Sequence, residues 1–307
     1  MTVTRRSILK VGAGFLLAGA GGGAYARYLE PGGSLALAQY AFKPPVWPEG
    51  LRLRIVALSD LHCGSAHMPL ARIDEIAEIS HRLEPDIIAL LGDYVTRASS
   101  NVHQIAPSQW ARSLARLKAP LGVHTILGNH EYWDDPVVQR RGFGDPVGKL
   151  ALLDAGIPVL ENHAVRLVKE GRAFWVAGLA DQLAFRIGYD RVRGGLFRGL
   201  DDTAGTLAQA ADGAPVILLA HEPDIFARLP EGLAGANLAL TLSGHTHGGQ
   251  VRFLGWAPYV PSEFGQRYVH GLVEEEGRSI IVSAGLGTSG PPFRFGVPPE
   301  IVVVDLG

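Results

Sequence analysis

Five short apolar runs constrain this chain more than any other feature. They fall at residues 53–58, 87–91, 123–127, 216–220 and 238–242, each of strand length and each halted by a polar residue or a tight turn. Between the first two, residues 69–83 carry Leu70, Ile73, Ile76, Ala77 and Ile79 at helical spacing. Helical patterns recur at 108–117 and at 147–155, the latter stopped by Gly156. Strands alternating with helices predict an α/β domain. Four later stretches, 164–168, 173–177, 279–283 and 301–305, read as further strands with hairpin-type connections, so mixed sheets are expected. No internal repeat or low-complexity tract interrupts this pattern, and 307 residues allow one large domain or two small ones.

The residues that follow the runs carry the chemistry. They are Asp60 and His62, then Asp93, then Asn129 and His130, then His221, then His245 and His247. Ligands of α/β sheets collect beyond the carboxyl ends of strands, so five distant segments would deliver these groups to one crevice. Asp60/His62 and His245/His247 are each separated by one residue, which points both members of a pair the same way if the backbone stays extended. Gly92, Gly128 and Gly244 stand before the polar residues where a sharp turn or a close backbone approach is needed.

Two carboxylates, one amide oxygen and four imidazoles, His130 set aside, make seven donors: too many for one tetrahedral ion and suited to two ions sharing a carboxylate. Two divalent cations, set against the carboxylates and a bridging hydroxide, leave a small positive excess that suits an anionic ester. Such a pair clamps the attacking and leaving oxygens of an in-line phosphoryl displacement, which selects phosphate-ester hydrolysis. An oxygen and nitrogen shell fits manganese, zinc or iron without choosing among them. Cys63 is the only cysteine, which excludes an intrachain disulfide and a thiolate cage. With 28 basic and 30 acidic residues, no nucleic-acid-binding surface is evident.

The ends of the chain read differently from its body. Residues 1–26 place Arg5-Arg6 before a Gly-rich apolar run that closes on Ala24-Tyr25-Ala26, and this resembles a twin-arginine export signal with a small-residue cleavage site. The resemblance implies the Tat translocase as a partner and a periplasmic or envelope location, membrane-tethered if the segment is retained. Residues 27–50, rich in Pro and Gly, read as a linker or strand-poor lead-in, with the domain proper at 51–307.

Ser59-Asp60-Leu61-His62, Leu91-Gly92-Asp93-Tyr94, Leu127-Gly128-Asn129-His130-Glu131, Ala220-His221-Glu222-Pro223 and the stretch from Ser243 through His245, Thr246 and His247 to Gln250 resemble the five blocks of the calcineurin-like metallophosphoesterases. The last block, with Gly285-Leu286-Gly287-Thr288-Ser289 and Pro298-Pro299-Glu300-Ile301, is similar to that family's exported bacterial phosphodiesterase branch. The resemblance implies a four-layer α/β/β/α sandwich. It also implies one metal on Asp60, His62 and His247, a second on Asn129, His221 and His245, and Asp93 as the bridge. His130 would protonate the leaving oxygen or steady the transition state, and Glu131 would orient His130.

The expectation is therefore an exported, dinuclear-metal-dependent phosphodiesterase in which a metal-bridged hydroxide attacks phosphorus, its substrate a phosphate ester of lipid or envelope origin. The alternatives are a UDP-2,3-diacylglucosamine-type pyrophosphatase, a phosphomonoesterase, or a metal-binding scaffold without chemistry. Residues 181–202, with balanced Arg and Asp, read as a solvated loop, a lid being the alternative. Trp133 and Arg294 read as packing and surface pairing, with substrate contact as the alternative. Cys63, His67, His81, His103, His124, His163 and His270 read as structural or surface groups.

Overall fold

Alternating residues of each central strand belong to different cores, and this parity builds the layers. A computed structural model describes residues 21–97, 102–190, 194–229 and 237–307. In chain order the strands are β1 (Ala36–Phe42), β2 (Leu53–Leu58), β3 (Ile87–Leu90), β4 (Val123–Thr125), β5 (His163–Lys169), β6 (Arg172–Gly178), β7 (Phe185–Asp190), β8 (Gly194–Arg198), β9 (Val216–Leu219), β10 (Leu238–Ser243), β11 (Gly271–Glu275), β12 (Arg278–Val282) and β13 (Glu300–Leu306). The helices used below are α1 (Leu70–Arg82), α2 (Pro107–Leu114), α3 (Asn129–Trp133), α4 (Pro136–Arg141), α5 (Val147–Asp154), α6 (Thr203–Ala208) and α7 (Ile225–Arg228).

One sheet runs β1-β13-β2-β3-β4 and the other β11-β12-β10-β9-β6-β5. Leu53, Ile55 and Ala57 of β2 meet Ile217 and Leu219 of β9 in the core between the sheets. Val56 and Leu58 face the other way, onto Ile73 and Ile76 of α1 and Trp110 of α2. Across the second sheet, Val216 and Leu218 pack with Leu207 of α6 and Phe226 of α7. The result is helices, sheet, sheet, helices, as the layered α/β reading expects. Strands buried on both faces lose polar alternation, which is why the five runs read so plainly. In α1 the buried positions Ile73, Ile76, Ala77 and Ser80 form one stripe, and each fully buried isoleucine contributes about 1.5–3 kcal/mol.

Both sheets mix parallel and antiparallel pairs: β2 runs parallel to β3 and antiparallel to β13, and β9 lies parallel to β6 and β10. Two regions depart from the sequence reading. The strand-poor lead-in holds β1, which pairs in parallel with β13 along its whole length. Its exposure alternates, with Ala38, Tyr40 and Phe42 packed against the inter-sheet core; an edge strand with Ala and Leu on its exposed face carries no polar alternation to mark it. The 181–202 segment, expected as a loop, contains the β7-β8 hairpin. Of its arginines, Arg191 and Arg193 lie outside the described residues, as do residues 1–20, which hold most of the export-signal reading. Among the described residues no helix is long and apolar enough to cross a membrane.

Candidate metal centre

The ladder between β2 and β3 continues past both strand ends, where Asp60 N donates to the Gly92 carbonyl at 3.0 Å and His62 N to that of Asp93 at 2.9 Å. The chain does not stay extended there, contrary to the sequence expectation. Asp60, His62, Asp93, His245 and His247 all take left-handed φ values of 54°, 46°, 58°, 69° and 51°. Asp tolerates this region better than most residues, yet each such residue still costs about 1–2 kcal/mol. Five at one locus mark strain held by the surrounding fold. Close approach explains two of the glycines: a Cβ on Gly128 would fall on Asp93 and the His221 ring, and one on Gly244 would overlap Ser59 and Asp60.

These turns bring all eight sequence-predicted residues together. His62 Nε2 lies 3.1 Å from His247 Nε2, and Asp60 Oδ1 lies 3.5 Å from the same His247 atom. On the other side His221 Nε2 is 3.2 Å from Asp93 Oδ2, and His245 Nδ1 is 2.9 Å from Asn129 Oδ1. Asp93 joins the halves, its Oδ2 also standing 3.7 Å from His62 Nε2, while its Oδ1 accepts the His130 amide at 2.9 Å. Donor atoms of Asp60, His62 and His247 form one cluster, those of Asp93, His221 and His245 another, and those of His62, Asp93 and His130 a third that links them, each within 4.8 Å.

The electrostatics suit cations. Burial, helped by His130, pushes the His62 imidazole down to about 4; burial and His221 push His245 down to about 3. Both stay neutral with lone pairs to give. Burial works against the charged forms of Asp93 and His221, but their mutual attraction wins, holding Asp93 well below and His221 well above the usual range. His221 Nε2 is buried against Asp93 Oδ2, the pair drawing a proton to the position a cation would take. The facing imidazole nitrogens of His62 and His247, and a third from His221, all beside carboxylates, are satisfied by cations in a way that protein hydrogen bonds do not achieve here. The residues fit divalent ions.

Backbone carbonyls fix two of the rings through their Nδ1 atoms, Val95 for His62 at 2.9 Å and Leu91 for His221 at 2.6 Å, leaving Nε2 to face the centre. His130 is held differently. Its Nδ1 meets Asp134 Oδ2 at 2.8 Å, and its Nε2 lies 3.3 Å from Ser289 Oγ. Burial opposes its protonation, but Asp93 and Asp134 outweigh that and raise it above the usual histidine range.

Several roles differ from the sequence reading. Glu131 does not touch His130; its buried carboxylate accepts the amides of Asp93, Tyr94, Val95 and Gly128 at 2.7–3.1 Å, fastening two ligand-bearing turns together. Asp134, the residue capping the C-terminus of α3, is the group that orients His130, and its i,i+4 spacing from His130 was the available signal. Arg294 is neither a surface pair nor a substrate contact: it is fully buried, donates to the carbonyls of Ala284, Gly285, Gly287 and Val297, and lies 3.3 Å from His247 Nδ1. Trp133 lines a cleft of about 740 Å³ whose floor includes Asp93, Asn129, His130, His245 and His247. Arg186 sits 3.8 Å over its ring and Phe197 stacks 5.2 Å away, so the β7-β8 hairpin forms one rim. Near His245 lie the buried carboxyls of Asp181 and Glu222: burial and Glu222 push Asp181 well above the usual range, while burial leaves Glu222 raised against the lowering effect of His221 and of its hydrogen bond with Asp181; nothing in the sequence pattern singled out Asp181.

The profile of the calcineurin-like phosphoesterases matches residues 53–249, which contain all eight clustered side chains. The chain belongs to that family. As a calcineurin-like phosphoesterase it is a phosphoester hydrolase, of a family that uses divalent metals. It is 31% identical over 310 residues to a Bacillus subtilis protein named "Uncharacterized metallophosphoesterase YkuE", covering 99% of this chain and 98% of that one. It is 31% identical over 307 residues to "Phosphodiesterase YaeI" of Escherichia coli, covering 99% of both. An Aquifex aeolicus metallophosphoesterase is 32% identical over 276 residues, 89% of this phosphoesterase and 92% of the relative.

Proposed function

We propose that this phosphoesterase is an exported phosphodiesterase with two divalent ions, one on Asp60, His62 and His247, the other on Asn129, His221 and His245, with Asp93 between them. The observation that carries this reading is the gathering of donors on both sides of the Asp93 carboxylate on the floor of a wide cleft. Ions bound there would supply Lewis acidity and lower the pKa of water. His130, kept protonated by Asp93 and Asp134, holds a proton at Nε2 for the leaving oxygen, and Asp134 fixes the ring while it is given up. Ser289 and Trp133 bound the space beside that nitrogen. The full-length match to a relative named phosphodiesterase supports a diester preference. The Arg5-Arg6 pair and the apolar run after it support export by the twin-arginine route, with the envelope as the source of substrate.

His130→Ala tests the catalytic reading. Metal content by elemental analysis is expected to match wild type, while hydrolysis of bis-p-nitrophenyl phosphate falls by about 10²-fold or more. Unchanged turnover would remove His130 from the chemistry, and absence of metal from both proteins would remove the site itself.

A further inference from the structure

The turn at residues 253–256 breaks two local rules at once. Phe253 N donates to the Trp256 carbonyl at 2.9 Å, and Trp256 N returns the bond at 3.0 Å, closing a two-residue hairpin. At its tip Leu254 and Gly255 both have positive φ, 49° and 86°, the primed geometry for which Asn-Gly or Asp-Gly is the usual choice. A leucine there is strained, and packing does not compensate it: Leu254 is 108% exposed and Trp256 58%. Phe253 and Tyr259 are exposed as well. The tip is braced, since the Arg252 guanidinium donates to the Gly255 carbonyl at 3.0 and 2.7 Å, and Arg252 N donates to the Phe295 carbonyl at 2.7 Å. A fold that holds large apolar side chains rigidly in water presents them to something apolar.

The patch continues toward the start of the chain. The Phe253 ring lies 5.0 Å from that of Phe295, which meets Tyr25 edge-on at 6.2 Å. Tyr28 and Leu29 beside it are exposed, and Arg27 and Arg252 add positive charge along this face. The twenty residues that precede Gly21 include the apolar run from Val11 and the cations Arg5, Arg6 and Lys10. Val251, Pro258 and Tyr259, which flank the hairpin tip, line the cleft. Protruding Phe, Leu and Trp with flanking arginines and exposed Tyr28 and Leu29 on one face are the features of a surface that settles into a bilayer interface.

We propose that the 253–256 hairpin is a membrane-docking element, inserting Phe253, Leu254 and Trp256 among the acyl chains of an anionic bilayer and setting the mouth of the cleft at headgroup level. Docking is a property of this face alone and stands whichever ester the cleft hydrolyses. Depth at the tip, rather than sedimentation, distinguishes it from simple tethering by residues 1–20.

In the full chain, Leu254→Cys carries a nitrobenzoxadiazole label, the native Cys63 being buried. A second protein carries the label at Glu170→Cys, an exposed turn between β5 and β6 at the opposite end of the strands from the site. With phosphatidylcholine/phosphatidylglycerol vesicles, emission at position 254 is expected to rise several-fold, shift to the blue and be quenched by spin-labelled lipid, while emission at 170 stays as in buffer. Unchanged emission at 254, whether or not the chain sediments with the vesicles, overturns the proposal, and so does an equal response at both positions. Hydrolysis of a soluble diester by Leu254→Cys, expected at the wild-type rate, verifies that the protein is folded.

Discussion

Gly128→Ala adds one methyl group at a residue that supplies no side-chain donor to the site, and the geometry makes its consequence calculable. Gly128 is extended, with φ −113° and ψ −176°, so alanine suits the backbone and any effect is steric. The new Cβ would lie 2.7 Å from His221 Cε1 and Nε2 and would also fall on Asp93. Carbon contacts settle near ~3.5 Å, so the imidazole must retreat by roughly 0.8 Å, against a tolerance of about 0.2 Å for metal–ligand distances. The retreat is hindered because the ring is pinned to the Leu91 carbonyl at 2.6 Å. Overpacking of this kind costs about 1–3 kcal/mol, and displacement of a reacting group by about 1 Å lowers turnover by about 10²-fold. Metal content, diester hydrolysis and thermal unfolding of the variant measure each part. The expected result is a folded protein with a Tm a few degrees lower, weakened metal binding and turnover down about 100-fold. Wild-type metal affinity together with wild-type turnover would show that the turn gives way freely, and the argument from close approach would be wrong.

Three further outcomes follow from the same geometry. Asp134→Asn removes a charge that raises His130, so the alkaline limb of the kcat/KM profile, where the acid form is lost, should move to lower pH; a limb that stays in place would separate Asp134 from His130. In metal-free protein the ring protons of His62 and His245 should titrate near 4 and 3. Because the unfolded chain takes up those protons first, the stability these two groups confer is complete above about pH 6.5 and drains as pH falls toward those values; NMR titration near 6.5 would contradict the burial argument. Arg294→Ala leaves the carbonyls of Ala284, Gly285, Gly287 and Val297 without their shared donor and should cost about 3 kcal/mol or more by urea unfolding, a loss under 1 kcal/mol counting against it.

What the sequence displayed and what it concealed have separate physical causes. The central strands were legible because both faces are largely buried, so each run is predominantly apolar, broken only by Arg54, His124, Thr125 and Thr241, and ends at a turn rich in polar residues. All eight chemical side chains sit just past such ends. β1 was concealed because one half-buried face carries Ala38, Tyr40 and Phe42 while Leu37 and Gln39 face solvent. The β7-β8 hairpin was masked by glycines and balanced charge. Left-handed backbone at Asp60 and His62 has no periodic signature, so a period of two was assumed where the turn had already left it. Arg294 shows the limit most sharply, since its partners are carbonyls of a loop that only tertiary folding brings around it. The Asp134 role, by contrast, was available from helical spacing.

In the first sheet β13, the final seven-residue strand, is inserted between β1 and β2, strands from the opposite end of the chain. A nascent polypeptide therefore cannot close this sheet until residues 300–306 have emerged from the ribosome. Any product truncated before Glu300 keeps a slot lined with unpaired backbone where β13 belongs, which makes the presence of that strand a condition for acquiring the native state.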